Sequence, residues 1–415
     1  MKGVDNNDVV LSRPLEGPLS TYIPGFAQWT REEGYAFLTR QRKVMLAASF
    51  SRWLKQQKIS IARVAPELAA RYLRCRGRRA LVKRRDEGDG ATLRQLLDFL
   101  HRQGVLSTEN SPPSRLTPIE QNVQAFEGYL RKERVLSELT AVRYVPFVRE
   151  FLADRFGEGP VKLSGLCAGD VVRFVRRQAP RLHLKNAKLL TTALRSFLHY
   201  ARYLGQIGCD LAAAVPTVAN WSTPSIPRAI PADAVRQLLA SINRRSATGC
   251  RDYAILLLLA RLGLRAVEVV RLQLEDIDWN AGSFTVTGKG AQRSVLPLPA
   301  DVGSVIATYL RHGRPQSSCR HVFLRTQAPF RGLHGSAAIS AIVRYNLTRA
   351  GIQAPSHGAH QFRHALATRM LHHGTSLAEI GEVLRHHDPK TTKIYTKVDL
   401  DSLRGLALPW PRGAR

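Results

Sequence analysis

The sequence predicts a mainly α-helical chain with a small β-sheet towards its C-terminal side, and three observations carry that expectation. Apolar residues recur at three-and-four spacing over residues 37–54 and 93–106 and again through residues 117–205, which is the period of one helix face. Two short runs, residues 283–287 and 293–298, flank Gly288-Lys289-Gly290, a turn whose glycines suit a β-hairpin. Pro216, Pro224, Pro227 and Pro231 lie around Trp221, and such a stretch stays extended and separates the helical half from the C-terminal portion. At 415 residues, 44% of them hydrophobic and 23% charged, the chain is long enough for two or three domains with their own cores.

Charge then narrows the partner. Lys and Arg number 62 against 32 Asp and Glu, a formal net charge of +30, with an isoelectric point near 10.8. That imbalance points to a polyanion, double-stranded DNA foremost. No apolar run approaches the roughly 18 to 20 residues of a spanning helix, and the opening MKGVDNNDVV lacks the apolar centre of a signal peptide. The expectation is a cytoplasmic, nucleoid-associated protein with no membrane partner. Cys75, Cys167, Cys209, Cys250 and Cys319 are scattered, odd in number and free of C-x-x-C, so free thiols are expected in place of disulfides or a zinc site. With neither a P-loop nor an acidic metal cluster in the sequence, no cofactor is expected.

Taken in order, residues 1–106 form an N-terminal helical block that carries a basic run over residues 74–85, and residues 107–115 read as a linker. A second helical block, residues 116–215, looks like a copy of the first. Leu38-Thr39 aligns with Leu139-Thr140 (139 − 38 = 101), and Phe50 with Phe151, Leu93-Arg94 with Leu194-Arg195 and Gly104 with Gly205 share that offset. In the second block Lys185, Lys188, Arg195 and Arg202 have roughly helical spacing, which fits a solvated helix face and a phosphate-tracking stripe equally well. After the proline-rich linker, residues 216–231, the third block spans residues 232–397. Helices are expected there over residues 234–242, 252–262 and 266–272, with the hairpin after them. A tail, residues 398–415, has Val398, Leu400, Leu403, Leu406 and Leu408 spaced as one face of a short helix.

The residue types that phosphate chemistry requires gather between residues 360 and 395, HQFRHALATRMLHHGTSLAEIGEVLRHHDPKTTKIY. His360 and Arg363 are three apart at the start of a helical segment and share a face. A second helix, with Leu377, Ile380, Val383 and Leu384 as its apolar positions, stops before Pro389, which leaves His386 just past its end. Tyr395 comes next on a Thr-rich segment, a polar setting in which its hydroxyl could act as a nucleophile.

H-x-x-R, then L-x-H, then a tyrosine nine residues after that histidine resembles the C-terminal signature of the tyrosine recombinase family, phage integrase and Xer-like. The match departs at Phe362, where the family commonly has Leu, and at Arg385, where the turn usually has Gly. Two upstream stretches extend it. LARLGLRAVEVVRLQLEDIDW resembles the family's first catalytic box and places Arg265 and Glu268 on its arginine and supporting glutamate, and TGKGAQRSVLPLP resembles the hairpin whose lysine is Lys289 here. The resemblance implies helical core-binding (SAM-like) domains with a mixed α/β catalytic domain after them. It implies a catalytic set of Arg265, Lys289, His360, Arg363, His386 and Tyr395. It also implies metal- and ATP-independent DNA cleavage and rejoining through a 3′-phosphotyrosyl link, a homo-tetrameric synapse with or without partner recombinases, and a tail that docks on a neighbouring protomer. The alternatives are a resolvase or type IB topoisomerase-like enzyme with the same chemistry, and a non-catalytic DNA-binding accessory protein.

Overall fold

Each helical block closes on itself because its four helices turn apolar stripes towards one another. The computed structural model describes residues 14–79, 88–106, 116–219, 229–288, 292–386 and 388–398. In the first block α1 (Ile23–Glu32), α2 (Phe37–Gln56), α3 (Pro66–Arg79) and α4 (Gly88–Arg102) enclose the fully buried Phe26, Phe50, Leu96 and Leu100. In the second, α5 (Pro118–Lys132), α6 (Glu138–Phe156), α7 (Ala168–Gln178) and α8 (Leu184–Tyr203) enclose Phe126, Phe151, Phe174 and Phe197. Thr117 and Ser137 cap α5 and α6 by accepting the backbone N–H of Glu120 and Thr140.

Both blocks carry close aromatic pairs in their interiors. Phe26 meets Phe99 at 5.8 Å between ring centroids, and Phe126 meets Tyr200 at 5.5 Å; Phe50 meets Tyr72 at 5.2 Å, and Phe151 meets Phe174 at 5.2 Å. Gly104 and Gly205 close the fourth helices with φ of 69° and 70°. The expected helix over residues 93–106 starts earlier, at Gly88, and ends at Arg102, where the chain turns back so that Leu106 joins the core. The linker 107–115, residues 80–85 of the basic run and residues 220–228 of the proline-rich linker lie outside the described residues.

The chain divides into two compact units, residues 111–223 and the remainder. The C-terminal block therefore shares a unit with the first helical block. Its central helix α10 (Ala247–Leu262) buries Ala254, Ile255, Leu256, Leu258 and Leu259 with no polar side between them, as a helix surrounded by others must. Ser246 caps it, and the helix starts at Ala247, five residues before the expected start. Around it lie α9 (Ala232–Ala240), α11 (Ala266–Arg271), α12 (Ala300–Thr308), α13 (Gly335–Arg349) and α14 (His360–His372). A three-stranded antiparallel sheet, order β1-β2-β3, combines β1 (Ile277–Asp278), which periodicity missed because it is two residues long, with β2 (Ser283–Thr287) and β3 (Arg293–Pro297). Buried Arg251 and Asp252 of α10 pair at 2.7 Å; Asn346 of α13 donates to Asp252 at 3.0 Å, and Arg251 donates to the carbonyl of Leu324 at 3.1 Å.

The segment after Leu324 receives the first helical block. Phe330 donates its backbone N–H to the Glu33 carbonyl at 3.2 Å, and the Glu33 carboxylate accepts from the Arg331 guanidinium at 2.7 and 3.2 Å. Gly34, at φ 84°, lets the Phe330 ring lie flush on the backbone: a Cβ there would fall 2.2 Å from two ring carbons. Beside this seat is a cavity of about 590 Å³ lined by Trp29, Arg102, Cys319, His321 and Phe330 among others.

Candidate active site

The site begins where α10 ends. Gly263 takes φ 57° and turns the chain, and a Cβ on it would come 2.9 Å from Leu366 and 3.1 Å from Leu384, so the left-handed turn and the close approach of two later elements both require glycine. Two residues on, Arg265 is the N-cap of α11. Its backbone N–H donates to Glu268 Oε2 at 2.8 Å, and its Nη1 donates to Oε1 at 2.8 Å. Glu268 is almost fully buried. Burial opposes its ionisation, but the charge of Arg385 and the bonds from Arg265 outweigh it and hold the carboxyl below the ordinary glutamate range.

Helix α14 supplies His360, Arg363 and His364 from one face. Arg363 is buried; its Nη1 donates to the Gly263 carbonyl at 2.7 Å, and its Nη2 donates to the Leu384 carbonyl. The guanidinium thereby ties α14 to the turn before α11 and to the end of α15 (Leu377–Val383). Burial, and after it the charges of Arg265 and Arg385, lowers its pKa to about 10. His360 is exposed at the start of α14, and partial desolvation with Arg363 and Arg265 nearby holds its imidazole below the usual value.

The α15 turn brings the remaining groups. Ser376 and Glu379 form a capping box that starts α15, and Arg385, at φ 56°, reverses the chain after it. The Arg385 carbonyl accepts Arg265 Nη2 at 3.1 Å, and its own Nη2 donates to Glu268 Oε2 at 2.9 Å. His386 is next, with Nδ1 2.7 Å from Thr392 Oγ1. Burial and four neighbouring basic groups, Arg363 first, depress its pKa to about 4. It is therefore neutral near pH 7, and whichever role Nδ1 takes opposite Thr392, Nε2 takes the other.

Tyr395 departs from the polar setting expected of it. It is 1% exposed, in a small core with Leu366, Ala367, Ile380 and Leu384, because α16 (Pro389–Thr392) and the helical turn after it fold the ring back against α14. Its hydroxyl lies 2.9 Å from His364 Nδ1. Burial raises its pKa to about 12, only partly countered by Arg363.

Of the six residues expected to act together, the structure brings five into one cluster: Arg265, His360, Arg363, His386 and Tyr395. Lys289 lies outside the described residues, as does the tail beyond residue 398. The preceding Gly288 is beside the site, since a Cβ on it would be 4.0 Å from Glu268 Oε1. Three further groups escaped sequence reasoning, namely His364, Arg385 and Thr392. For His364 a signal existed, because it is one helical turn from His360 and adjacent to Arg363; the other two depend on how the turn folds. In the second helical block, Arg195 donates to the carbonyls of Val215 and Pro216 at 2.9 and 3.3 Å, and Arg202 is 3.4 Å from Asp210. Lys185 is exposed and Lys188 half-buried.

A model described as the phage integrase family matches residues 228–401. The chain is 52% identical over 415 residues, all of both chains, to a protein named integrase/recombinase y4rA from Sinorhizobium fredii. It is 32% identical over 305 residues, 72% of this chain and 93% of the other, to tyrosine recombinase XerD of Listeria innocua. The fold resembles that of the XerH site-specific recombinase in its post-cleavage complex with difH substrate, with a TM-score of 0.54 at 18% identity over 75% of this chain and 93% of that one. It also resembles a lambda integrase dimer bound to a core site, with a TM-score of 0.51 at 15% identity over 71% of this chain and 99% of that one. A match of this identity along the full length leaves no part of the sequence outside the relationship: the chain belongs to the phage integrase family, as a tyrosine-type site-specific DNA recombinase.

Proposed function

We propose that this recombinase cleaves and rejoins double-stranded DNA with Tyr395 as the nucleophile and Arg265, His360, Arg363 and His386 around the scissile phosphate. The observation that carries the reading is an excess of positive charge: the guanidiniums of Arg265, Arg363 and Arg385 are set against one buried carboxylate, Glu268, and the tyrosine hydroxyl beside them meets the His364 imidazole. A phosphodiester is the anion that would complete this balance. Among the described residues, Arg265 and Arg363 each use two of their five N–H donors on protein acceptors. The others can serve phosphate oxygens, whose negative charge grows as the tyrosine oxygen adds to phosphorus.

In the step proposed, the bond from phosphorus to Tyr395 forms as the bond to the 5′ oxygen breaks. The tyrosine proton passes to an imidazole, with His360 as the base, and Lys289 protonates the leaving 5′ oxygen. A 5′ hydroxyl from a second strand reverses the step on a new partner, so neither nucleotide nor metal is consumed. Synapsis would gather four protomers, with the tail reaching a neighbour, and the second helical block would contact DNA through Lys185 and Lys188. The N-terminal block would add either DNA or protomer contacts.

The test uses a nicked duplex carrying a half-site selected by the intact protein from a random-sequence pool. The wild-type chain should form a covalent adduct on it in the presence of EDTA. Tyr395→Phe should bind with unchanged affinity and form none. Adducts that persist in the variant would assign the nucleophile elsewhere.

A further inference from the structure

Arg385 bears two local costs. A non-glycine residue at φ 56° adopts the left-handed region against its Cβ, and its Nε is buried without a hydrogen-bond acceptor among the described residues. What accompanies these costs is a closed ring of contacts. The Arg385 guanidinium holds Glu268 Oε2, Glu268 Oε1 holds Arg265 Nη1, and Arg265 Nη2 returns to the Arg385 carbonyl. The carboxylate is thus gripped from both sides, and the arginine beside it is fixed at both terminal nitrogens. The ring also spans 120 residues of sequence, joining the start of α11 to the turn that carries His386.

We propose that Arg385 is a positioning residue for Arg265: by anchoring Glu268 and the turn together, it aims the Arg265 guanidinium at the scissile phosphate and fixes the distance between Arg265 and His386. Glycine at this position would supply the same turn without strain and would leave Glu268 held by Arg265 alone. Arg385 is 12% exposed at its side chain and points at a carboxylate, so it works through Arg265 and leaves the substrate to others. The inference rests on reading Arg265 as a phosphate-binding cation.

Arg385→Gly isolates the guanidinium, because glycine keeps the backbone turn. Single-turnover cleavage of the nicked half-site should slow by about 10- to 100-fold, the effect of losing a charged hydrogen bond that orients a catalytic group. Half-site affinity should remain within about twofold, since many other cations hold the DNA. Arg385→Ala should cleave no faster than Arg385→Gly, and Arg385→Lys should recover part of the rate. The decisive arm replaces the scissile phosphate with a methylphosphonate, which lacks the charge that Arg265 would stabilise. The loss from Arg385→Gly, measured against wild type on the same substrate, should then shrink to about threefold or less. Wild-type cleavage by Arg385→Gly, or an equal loss on charged and uncharged linkages, overturns the proposal and leaves Arg385 a structural contact. Failure of the wild-type chain to form any adduct would instead remove the reading of the site on which the proposal rests.

Discussion

The two helical blocks each build four helices among the described residues, and they differ at the turn after the first helix. Phe50 and Phe151 are both buried, and Leu38 and Leu139 are both exposed, each pair 101 residues apart (151 − 50 and 139 − 38). At the turn after the first helix the likeness stops. The first block has Glu33 and Gly34, which grip Arg331 and seat Phe330. The second has Arg134 and Val135 at the same offset (135 − 34 = 101), with Val135 80% exposed at φ 46°. Aromatic packing in an interior constrains many positions at once; an attachment changes with two residues, because it depends on one missing side chain and one charge.

The largest effect expected tests the shared interior. Phe50→Ala and Phe151→Ala should each destabilise its own block by about 3–5 kcal/mol, the usual cost of emptying a buried phenylalanine site. Urea unfolding monitored by amide exchange in each block reads the two losses, and a gap between them larger than the individual spread would end the equivalence of the cores. Next, Gly34→Val gives the first block the residue of the second. The side chain would collide with the Phe330 ring and strain the left-handed turn, a penalty of about 1–3 kcal/mol on docking. Exchange at the Phe330 amide, whose acceptor is Glu33, should rise while exchange inside the first block stays slow. Unchanged exchange at Phe330 would mean that the seat is not what holds the block. The smallest effect is the reverse exchange: Val135→Gly relieves a left-handed β-branched residue but loosens the unfolded chain, so stability should move by less than about 1 kcal/mol in a thermal melt.

The range of each interaction decides how much of it was legible in the sequence. Local patterns were readable: the hairpin about residue 288, the helix from His360 and the stop before Pro389 each depend on neighbours a few residues away. Arg265, His360, Arg363, His386 and Tyr395 were found as a set, through their resemblance to a family. What escaped is long-range. Nothing near Tyr395 in sequence says that its ring packs under α14, or that His364, 31 residues earlier, meets its hydroxyl. Arg385 stood out only as an odd residue in a glycine turn, because its partner Glu268 is 117 residues away. The seat of Phe330 on Gly34 was invisible for the same reason, with 298 residues separating Glu33 from the arginine it holds.

That seat has a consequence for building hybrid enzymes. Recombinases are attractive to reassemble from parts, with one protein's recognition segments joined to another's catalytic portion at a linker. Here a junction drawn between the second helical block and the C-terminal block would cut through a lock whose two halves lie at opposite ends of the graft. A foreign catalytic portion without an aromatic residue at the position of Phe330 and a base at that of Arg331 leaves Glu33 and the bare backbone of Gly34 facing solvent. A foreign N-terminal portion with any side chain at the position of Gly34 collides with the ring. The transferable part is therefore the pair of ends together, which form one compact unit.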